Sequence, residues 1–213
     1  MQTIPFNRED HIYRNDAFAE IVKDAVRFFN GTPALSLPPS ERFAGAGVYA
    51  LYYTGNFKPY AKYAELNRLA YNRPIYVGKA VPAGWRQSGH SSGGNPKATE
   101  LYSRLRDHFK SIDSIKNLNA TDFACRFVIM ESIEADMIAT IEAALIKINR
   151  PLWNTIIDGF GNHAPGSGRA AGKKSKWDIL HPGRSWVGSI ADNPIDPKDL
   201  LREIEAYLKG VGL

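Results

Sequence analysis

Apolar side chains recur at two different spacings along this chain, and each spacing predicts a type of secondary structure. From Asp16 to Asn30 they fall three and four positions apart, which predicts an amphipathic helix. From Gly47 to Tyr53 the chain is instead a short run of β-forming residues, and Pro74 to Gly78 is a second such run. The first half of the chain is therefore predicted to contain a helix followed by two strands.

The second half of the chain shows the same two spacings. Lys97 to Lys110 and Ile133 to Asn149 have helical spacing, and Phe123 to Met130 is a third run typical of a strand. A last helix is predicted to begin at Asp196, because an aspartate N-cap followed by proline is typical of a first helical turn. The order strand, strand, helix, strand, helix predicts a small three-stranded core with additions at both ends.

The character of the sequence divides the chain into three regions. Residues 1–40 hold the first helix and a proline-rich connector, and we expect them to form an N-terminal arm. Residues 41–157 hold the predicted core, within which residues 54–73 are basic and rich in tyrosine. Residues 158–213 have few apolar positions before the last helix. We expect them to form a basic loop and a C-terminal helix, both packed on the same domain.

The overall composition narrows the functional classes only moderately. The chain has 213 residues, of which 44% are hydrophobic and 23% charged, as in ordinary globular proteins and unlike a disordered or collagen-like chain. The net charge of +5 suits a polyanionic partner without establishing one. Cys125 is the single cysteine, so no internal disulfide can form and we expect a reducing cytoplasm. No apolar run is long enough to predict a membrane span.

Two basic side chains on one predicted helix could hold a phosphate. Arg104 and His108 are four positions apart, so they project from the same side of the helix. Such a pair also occurs on ordinary solvated helix faces, and the spacing alone favours that simpler interpretation.

Glu142 is the most unusual ionisable residue of the sequence. It is the only one between Met137 and Ile146, in a helix that is otherwise apolar apart from one threonine. A buried carboxylate is costly unless it is paired or bound to a metal, and perturbed carboxylates concentrate at functional sites. Glu142 could equally lie on a narrow exposed stripe or pair with Arg104. Both interpretations stay open at this point.

Several further residues, each taken alone, have an ordinary structural interpretation. Tyr49 and Tyr76 are strand tyrosines in glycine-containing motifs, Asn154 is typical of a turn, and Lys79 could contact a phosphate or only water. Basic and aromatic residues also occur in two glycine-containing loops, which could order on a partner or simply be solvated. These loop residues are Trp85, Arg86, Arg169, Lys173, Lys174 and Lys176.

The order of the candidate residues resembles that of the GIY-YIG nuclease family. The motif positions are, in sequence, Gly47-Val48-Tyr49, Tyr76-Val77-Gly78, Arg104 with His108, Glu142 and Asn154. Valine replaces isoleucine in both tripeptides, which leaves the motif chemistry intact. Tyr49 and Tyr76 lie further apart than is usual in the family, so residues 54–73 are interpreted as an insertion between the first two strands. Among its branches, the chain resembles the type II restriction endonucleases, and within them the subgroup that cuts CCGCGG.

This resemblance implies a fold and a reaction. The fold would be α+β, with a small, mainly antiparallel central sheet flanked by helices. The reaction would be metal-dependent hydrolysis of DNA phosphodiesters by water, with Glu142 holding one Mg²⁺, for which Mn²⁺ would substitute. Arg104 would neutralise the phosphate oxygens. Tyr49 would be the general base, or His108 would take the proton from water or relay it from Tyr49.

The remaining motif residues would have positioning roles. Tyr76 would position the phosphate or the water, and Asn154 would hold the phosphate or orient Glu142. Candidates to contact double-stranded DNA are the tyrosine-rich insertion and the residues Lys79, Trp85, Arg86, Arg169, Lys173, Lys174 and Lys176. A palindromic target implies a homodimer on DNA. The N-terminal arm is a candidate for the dimer interface or for wrapping DNA, and a cognate DNA methyltransferase would protect the host.

Three alternatives belong to other functional classes. A repair or structure-specific nuclease would use the same site and ignore sequence. A DNA-binding module without catalysis would use only the basic loops, although the motif set argues against it. An interaction protein would have basic loops that are merely solvated, and it would fail to bind DNA at any salt concentration.

Overall fold

The computed structural model describes residues 5–82, 98–162 and 172–212. Within these residues, four antiparallel strands form one sheet in the order β1-β4-β2-β3. The strands are β1 (Leu35–Ser36), β2 (Gly47–Tyr53), β3 (Tyr76–Ala80) and β4 (Phe123–Ile129). The α-helices are α1 (Asp16–Gly31), α2 (Ala61–Ala70), α3 (Glu100–Asp113), α4 (Ile138–Asn149), α5 (Leu152–Thr155), α6 (Lys176–Leu180) and α7 (Pro197–Gly210). Short 3₁₀ turns occur at Arg8–His11, Lys58–Tyr60, Ala120–Asp122, Ser132–Met137 and Ser185–Ser189.

Strand β2 lies in the interior of the sheet and is buried along its whole length. Because successive side chains of a strand point to opposite faces, β2 contributes to two separate hydrophobic cores. Tyr49, Leu51 and Tyr53 face one core, which also contains apolar residues of α3, α5, α6 and α7. The alternate residues of β2 face the other core, beneath α1 and α4. Helices on both faces explain why this antiparallel strand is an unbroken apolar run.

The α+β fold with an antiparallel sheet flanked by helices is confirmed, with one additional strand. Leu35–Ser36 pairs with β4 at the edge of the sheet, inside the proline-rich connector. A two-residue strand has no detectable period, so its pairing could not be predicted. Gly47 allows the backbone of β2 to approach β4, since a side chain there would overlap the carbonyl oxygen of Val128.

The tyrosine-rich segment between β2 and β3, predicted to contact DNA, is partly buried in the core. It folds into a turn and helix α2, and Tyr60 and Tyr63 are fully buried in the core. The basic and aromatic residues that alternate along this segment therefore lie in different environments. The tyrosines pack inward, while Lys58 and Lys62 remain on the surface.

The N-terminal helix packs against the core but leaves much apolar surface exposed. Val26 and Phe29 of α1 are buried with α4 and the sheet. Phe18, Ile21 and Phe28 of the same helix are between 49% and 64% exposed. Over the ranges that the structure describes, no helix has the length and apolar character needed to cross a membrane.

Candidate active site

Four of the sequence-predicted residues meet on one face of the sheet. The hydroxyl oxygen of Tyr49 lies 2.6 Å from Nε2 of His108, and the guanidinium of Arg104 and the hydroxyl of Tyr76 are also hydrogen-bonded to Tyr49. The rings of Tyr49 and Tyr76 are 6.2 Å apart, and each lies 5.3 Å from the His108 ring. Arg104 and His108 are one turn apart on α3, so both reach the same tyrosines.

The register of β2 and β3 produces this arrangement. Tyr49 lies directly opposite Gly78 in the antiparallel pair. A Cβ atom at Gly78 would be 2.5 Å from the Tyr49 hydroxyl oxygen. The last residue of the second tripeptide must therefore be glycine because the phenol of Tyr49 lies across its backbone.

Burial sets the protonation of the two tyrosines. It raises the pKa of Tyr49 well above the usual range for tyrosine, although the positive charge of Arg104 counteracts this shift in part. Burial also raises the pKa of Tyr76, with Arg104 again opposing. Both phenols are therefore neutral near pH 7 in the free protein. Tyr49 is fully buried, whereas Tyr76 and Arg104 are partly exposed.

A short segment that the sequence reasoning missed covers this cluster. We call residues 159–162, the sequence Gly-Phe-Gly-Asn, the covering segment. The ring of Phe160 stacks on His108 at 4.5 Å, and the carbonyl oxygen of Gly161 accepts a hydrogen bond of 2.9 Å from Arg104. A Cβ atom at Gly161 would be 2.7 Å from the Tyr76 hydroxyl. Two glycines around one aromatic residue were the available signal, but they lie in a glycine-rich stretch that was interpreted as loop.

Glu142 reaches the site from the opposite face of the sheet. It projects from α4, which packs beneath β3, and its carboxylate accepts a hydrogen bond from the ammonium of Lys79. The two side chains are 18% and 28% exposed, respectively. Since β3 is an edge strand, Glu142 lies close enough around the edge to raise the pKa of Tyr76. The partner of this carboxylate is thus Lys79, and the alternative pairing with Arg104 is wrong.

The residues around Glu142 fit a single hydrated divalent cation. In the described residues, no group of three or more His, Cys, Asp or Glu side chains could hold a metal. One partly exposed carboxylate is still an acceptable donor set for Mg²⁺, which retains several water ligands. The Lys79 ammonium group pairs with the Glu142 carboxylate, so a divalent cation that binds Glu142 would displace this ammonium group.

Asn154 does not reach the cluster or Glu142 in this structure. Its side-chain amide donates to the carbonyl oxygen of Val77 and accepts from the backbone N–H of Val77, each at 2.8 Å. These contacts satisfy the backbone groups that an edge strand leaves unpaired. Asn154 therefore fixes α5 to β3, and its role in holding the phosphate or orienting Glu142 stays a prediction.

The basic residues suggested for DNA contact divide into three groups. Lys174 pairs with Asp192 at 2.6 Å, and Lys176 pairs with Glu203 at 2.8 Å, so acids from later in the chain neutralise both. The local absence of acids in the sequence concealed these partners. Lys173 is exposed and forms an isolated bridge to Ala191. Trp85, Arg86 and Arg169 lie outside the described residues.

A family model described as the Eco29kI GIY-YIG domain matches residues 41–208. The chain belongs to this family of restriction endonucleases. The match extends past the predicted end of the core at residue 157 and includes the covering segment, α6 and most of α7. Among curated proteins, none matches the chain significantly. Family membership implies a restriction-type nuclease that binds DNA, and GIY-YIG nucleases generally use divalent metals.

Proposed function

We propose that this nuclease is a type II restriction endonuclease that cuts double-stranded DNA at a short GC-rich palindrome, with one Mg²⁺ in each active site. The observation that supports this proposal is the grouping of side chains at the edge of β3. There, the hydrogen-bonded Tyr49–His108 pair, the guanidinium of Arg104 and the carboxylate of Glu142 converge from the two faces of the sheet. A proton acceptor, a phosphate-binding cation and a metal-binding carboxylate are the groups that phosphodiester hydrolysis requires.

The partly exposed residues would meet the DNA first. Arg104 is part-buried and donates to Gly161, so its guanidinium is already oriented when a phosphate arrives. It would neutralise the non-bridging oxygens, for which a planar multi-donor group is well suited. Tyr76 would position the scissile phosphate or the attacking water. Lys79 would release Glu142 to the metal and then contact a neighbouring phosphate.

The buried pair would handle the proton. Water attacks phosphorus, the bond to the 3′ oxygen breaks, and the proton of the water must leave. We propose that the Tyr49 oxygen takes this proton while the phenol proton passes to Nε2 of His108 across the 2.6 Å contact. This division resolves the choice between Tyr49 and His108 as a relay. Tyr49 would contact the water, and His108 would be the final acceptor.

A divalent metal held by Glu142 would supply Lewis-acid stabilisation of the leaving 3′ oxygen. Glu142 is the one ligand that the chain provides on this proposal, and the waters of the ion would fill the other positions. Mn²⁺ would substitute because it accepts the same oxygen donors.

The target and the assembly rest on family resemblance and symmetry. The proposed site is CCGCGG, and a palindrome of this kind requires two protomers to cut both strands. The exposed apolar side of α1, with Phe18, Ile21 and Phe28, supports a dimer through the N-terminal arm. A cognate methyltransferase would protect host sites in the cytoplasm. The proposed DNA contacts remain Lys173, Lys174, Lys176, Trp85, Arg86 and Arg169.

The testing experiment is digestion of plasmid DNA with purified protein and Mg²⁺, followed by sequencing of the ends. Discrete ends within CCGCGG, lost with EDTA, would support the proposal in full. Discrete ends at another site would refute CCGCGG as the recognition sequence but would still support a type II restriction endonuclease. Nicks without sequence preference would support the repair nuclease, and intact DNA with salt-dependent binding would support a binding module.

The proposed role of Glu142 as the metal ligand is tested with one variant and one control variant. Glu142→Gln should reduce cleavage by roughly 10³-fold, because transition-state charge stabilisation is lost while the DNA-binding surface is retained. Glu205→Gln is the matched control, since Glu205 pairs with Lys209 on the exposed side of α7. Gel-shift binding should be unchanged in both variants. Normal cleavage by Glu142→Gln would show that the metal assignment is wrong.

A further inference from the structure

We propose that Arg184 is a positioning residue for the active site, which acts by holding the covering segment against Tyr76, Arg104 and His108. This inference rests on the proposed assignment of those three residues to the reaction. Arg184 touches none of the reacting groups. It follows the short helix α6 and is only 5% exposed.

All five N–H donors of the Arg184 guanidinium are used. Two donate to Oδ1 of Asp178, one of them from Nε at 2.8 Å. The other three donate to backbone carbonyl oxygens of Gly159, Phe160 and Asn162, at 3.1, 3.2 and 3.3 Å. A guanidinium has five donors in a fixed plane, whereas an ammonium group has three, so no other side chain could make all five of these hydrogen bonds.

The Arg184 side chain is itself held rigidly. Its guanidinium lies 4.6 Å from the ring centre of Trp177 and 4.7 Å from that of Trp186. The second oxygen of Asp178 accepts from Ser175, whose hydroxyl also caps α6. The ion pair with Asp178 is almost fully buried, with side chains 3% and 2% exposed. This arrangement fixes the guanidinium in one position.

The covering segment transmits that position to the cluster. Phe160 stacks on His108, and the Gly161 carbonyl orients Arg104. A free loop of this composition would not hold such contacts, since two glycines cost conformational entropy to order. Gly159 has a φ of +98°, and a side chain there would overlap Ser175. The segment therefore depends on Arg184 for its position, although 22 to 25 residues separate them.

The test is Arg184→Lys, which keeps a cation beside Asp178 but cannot bind all three carbonyl oxygens. The single-turnover rate on a CCGCGG duplex should fall about 10- to 100-fold, because small displacements of catalytic groups have effects of this size. The dissociation constant for the duplex in EDTA should stay unchanged. Arg202→Lys is the matched control, since Arg202 pairs with Asp199 on the exposed surface of α7 and should leave both unchanged.

A second measurement does not depend on DNA cleavage. Phe160 stacks on His108, so its ring current shifts the imidazole C–H resonances of His108 upfield in an NMR spectrum of the free protein. Arg184→Lys should reduce this shift, as Phe160→Leu does directly. If the wild type cuts no DNA, the proposed function fails, while the His108 resonance still tests the position of the segment.

A double-mutant cycle decides between positioning and simple stabilisation. The rate effects of Arg184→Lys and Phe160→Leu should be less than additive, because both act through the same contact. Additive effects, or a lower thermal midpoint with unchanged rate and His108 resonance, would overturn the proposal. If Arg184→Lys does not fold, Asp178→Asn takes its place. It leaves the three carbonyl contacts possible, and it should show a smaller change of the same kind in rate and resonance.

Discussion

Two buried tyrosine–histidine pairs in this protein have the same geometry but different surroundings. In the Tyr49–His108 pair the hydroxyl oxygen lies 2.6 Å from Nε2, and in the Tyr60–His181 pair the corresponding distance is 2.7 Å. Both tyrosine oxygens also accept a hydrogen bond from a nitrogen donor. That donor is the guanidinium of Arg104 in the first pair and the indole N–H of Trp153 in the second.

In the second pair, the neighbouring residues determine which atom donates and which accepts in each hydrogen bond. Asn117 uses its amide N–H to bind the carbonyl of Leu180, so its oxygen accepts from Nδ1 of His181 at 2.9 Å. Nε2 of His181 must then accept from the Tyr60 hydroxyl. Burial lowers the pKa of His181 to about 3, so the imidazole stays neutral. The hydrogen bonds of Tyr60 and His181 are therefore all made within the core, and we assign this pair a role in stability and not in proton transfer.

The first pair lies next to a permanent cation and near the edge of the sheet. Arg104 stabilises negative charge on the Tyr49 oxygen, whereas the indole of Trp153 supplies only a neutral hydrogen bond. The comparison teaches that a buried tyrosine–histidine hydrogen bond does not by itself make an active site. The adjacent cation, and the carboxylate of Glu142 around the β3 edge, distinguish the pair proposed for catalysis.

The largest expected effect comes from removing the hydroxyl of the first pair. Tyr49→Phe should lower the cleavage rate by about 10²- to 10⁴-fold, because proton transfer from the attacking water is lost. The thermal midpoint should fall as well, because His108 and Arg104 lose a buried hydrogen bond to the Tyr49 oxygen. Single-turnover cleavage and thermal unfolding of the same preparation measure both. An unchanged rate would show that His108 takes the proton from water without Tyr49.

The matched substitution in the second pair should lower stability without lowering activity. Tyr60→Phe removes the acceptor for Trp153 and the donor for His181, which leaves two buried polar groups without their partner. The free energy of unfolding should fall by about 1–3 kcal/mol, while the cleavage rate stays unchanged. Urea denaturation and single-turnover kinetics provide the two values. A large loss of rate at full stability would contradict the structural role given to Tyr60.

The smallest expected effect is a dependence of stability on pH. The pKa of His181 is lower in the folded state, about 3, than in the unfolded chain, near 6.5. The unfolded state therefore binds more protons below pH 6.5, and stability falls as pH decreases through this window towards the folded value. One such group contributes at most about 1.4 kcal/mol per pH unit.

The measurement is urea denaturation at pH 7.5, 6.5 and 5.5, compared between the wild type and His181→Gln. The variant should be less stable at pH 7.5 but should show a flatter dependence below pH 6.5. An equal slope in both proteins would assign the acid sensitivity to other groups. Cleavage is measured separately, so that effects on activity are distinguished from effects on stability.

Local sequence signals determined the elements that begin or end with strong chemical preferences. Strand β2 has the predicted bounds, Gly47 to Tyr53, because it is a continuous run of β-forming residues. The helix after Asp196 begins where an N-cap aspartate and a proline require it. Helix α2 was not predicted, since its apolar residues are few and its tyrosines suggested a different role. Weak amphipathicity leaves the assignment of such a segment to tertiary packing.

The sequence by itself determined the family and the candidate residues, because tyrosine, arginine, histidine and glutamate follow one another in the order of the GIY-YIG motifs. Only the tertiary structure decided their partners. Glu142 pairs with Lys79, Asn154 binds the backbone of Val77, and Arg184 holds the covering segment. Each of these contacts joins residues that are 24 to 77 positions apart along the chain. Their geometry depends on how helices and loops pack against the sheet, and that packing is not local to any stretch of the chain.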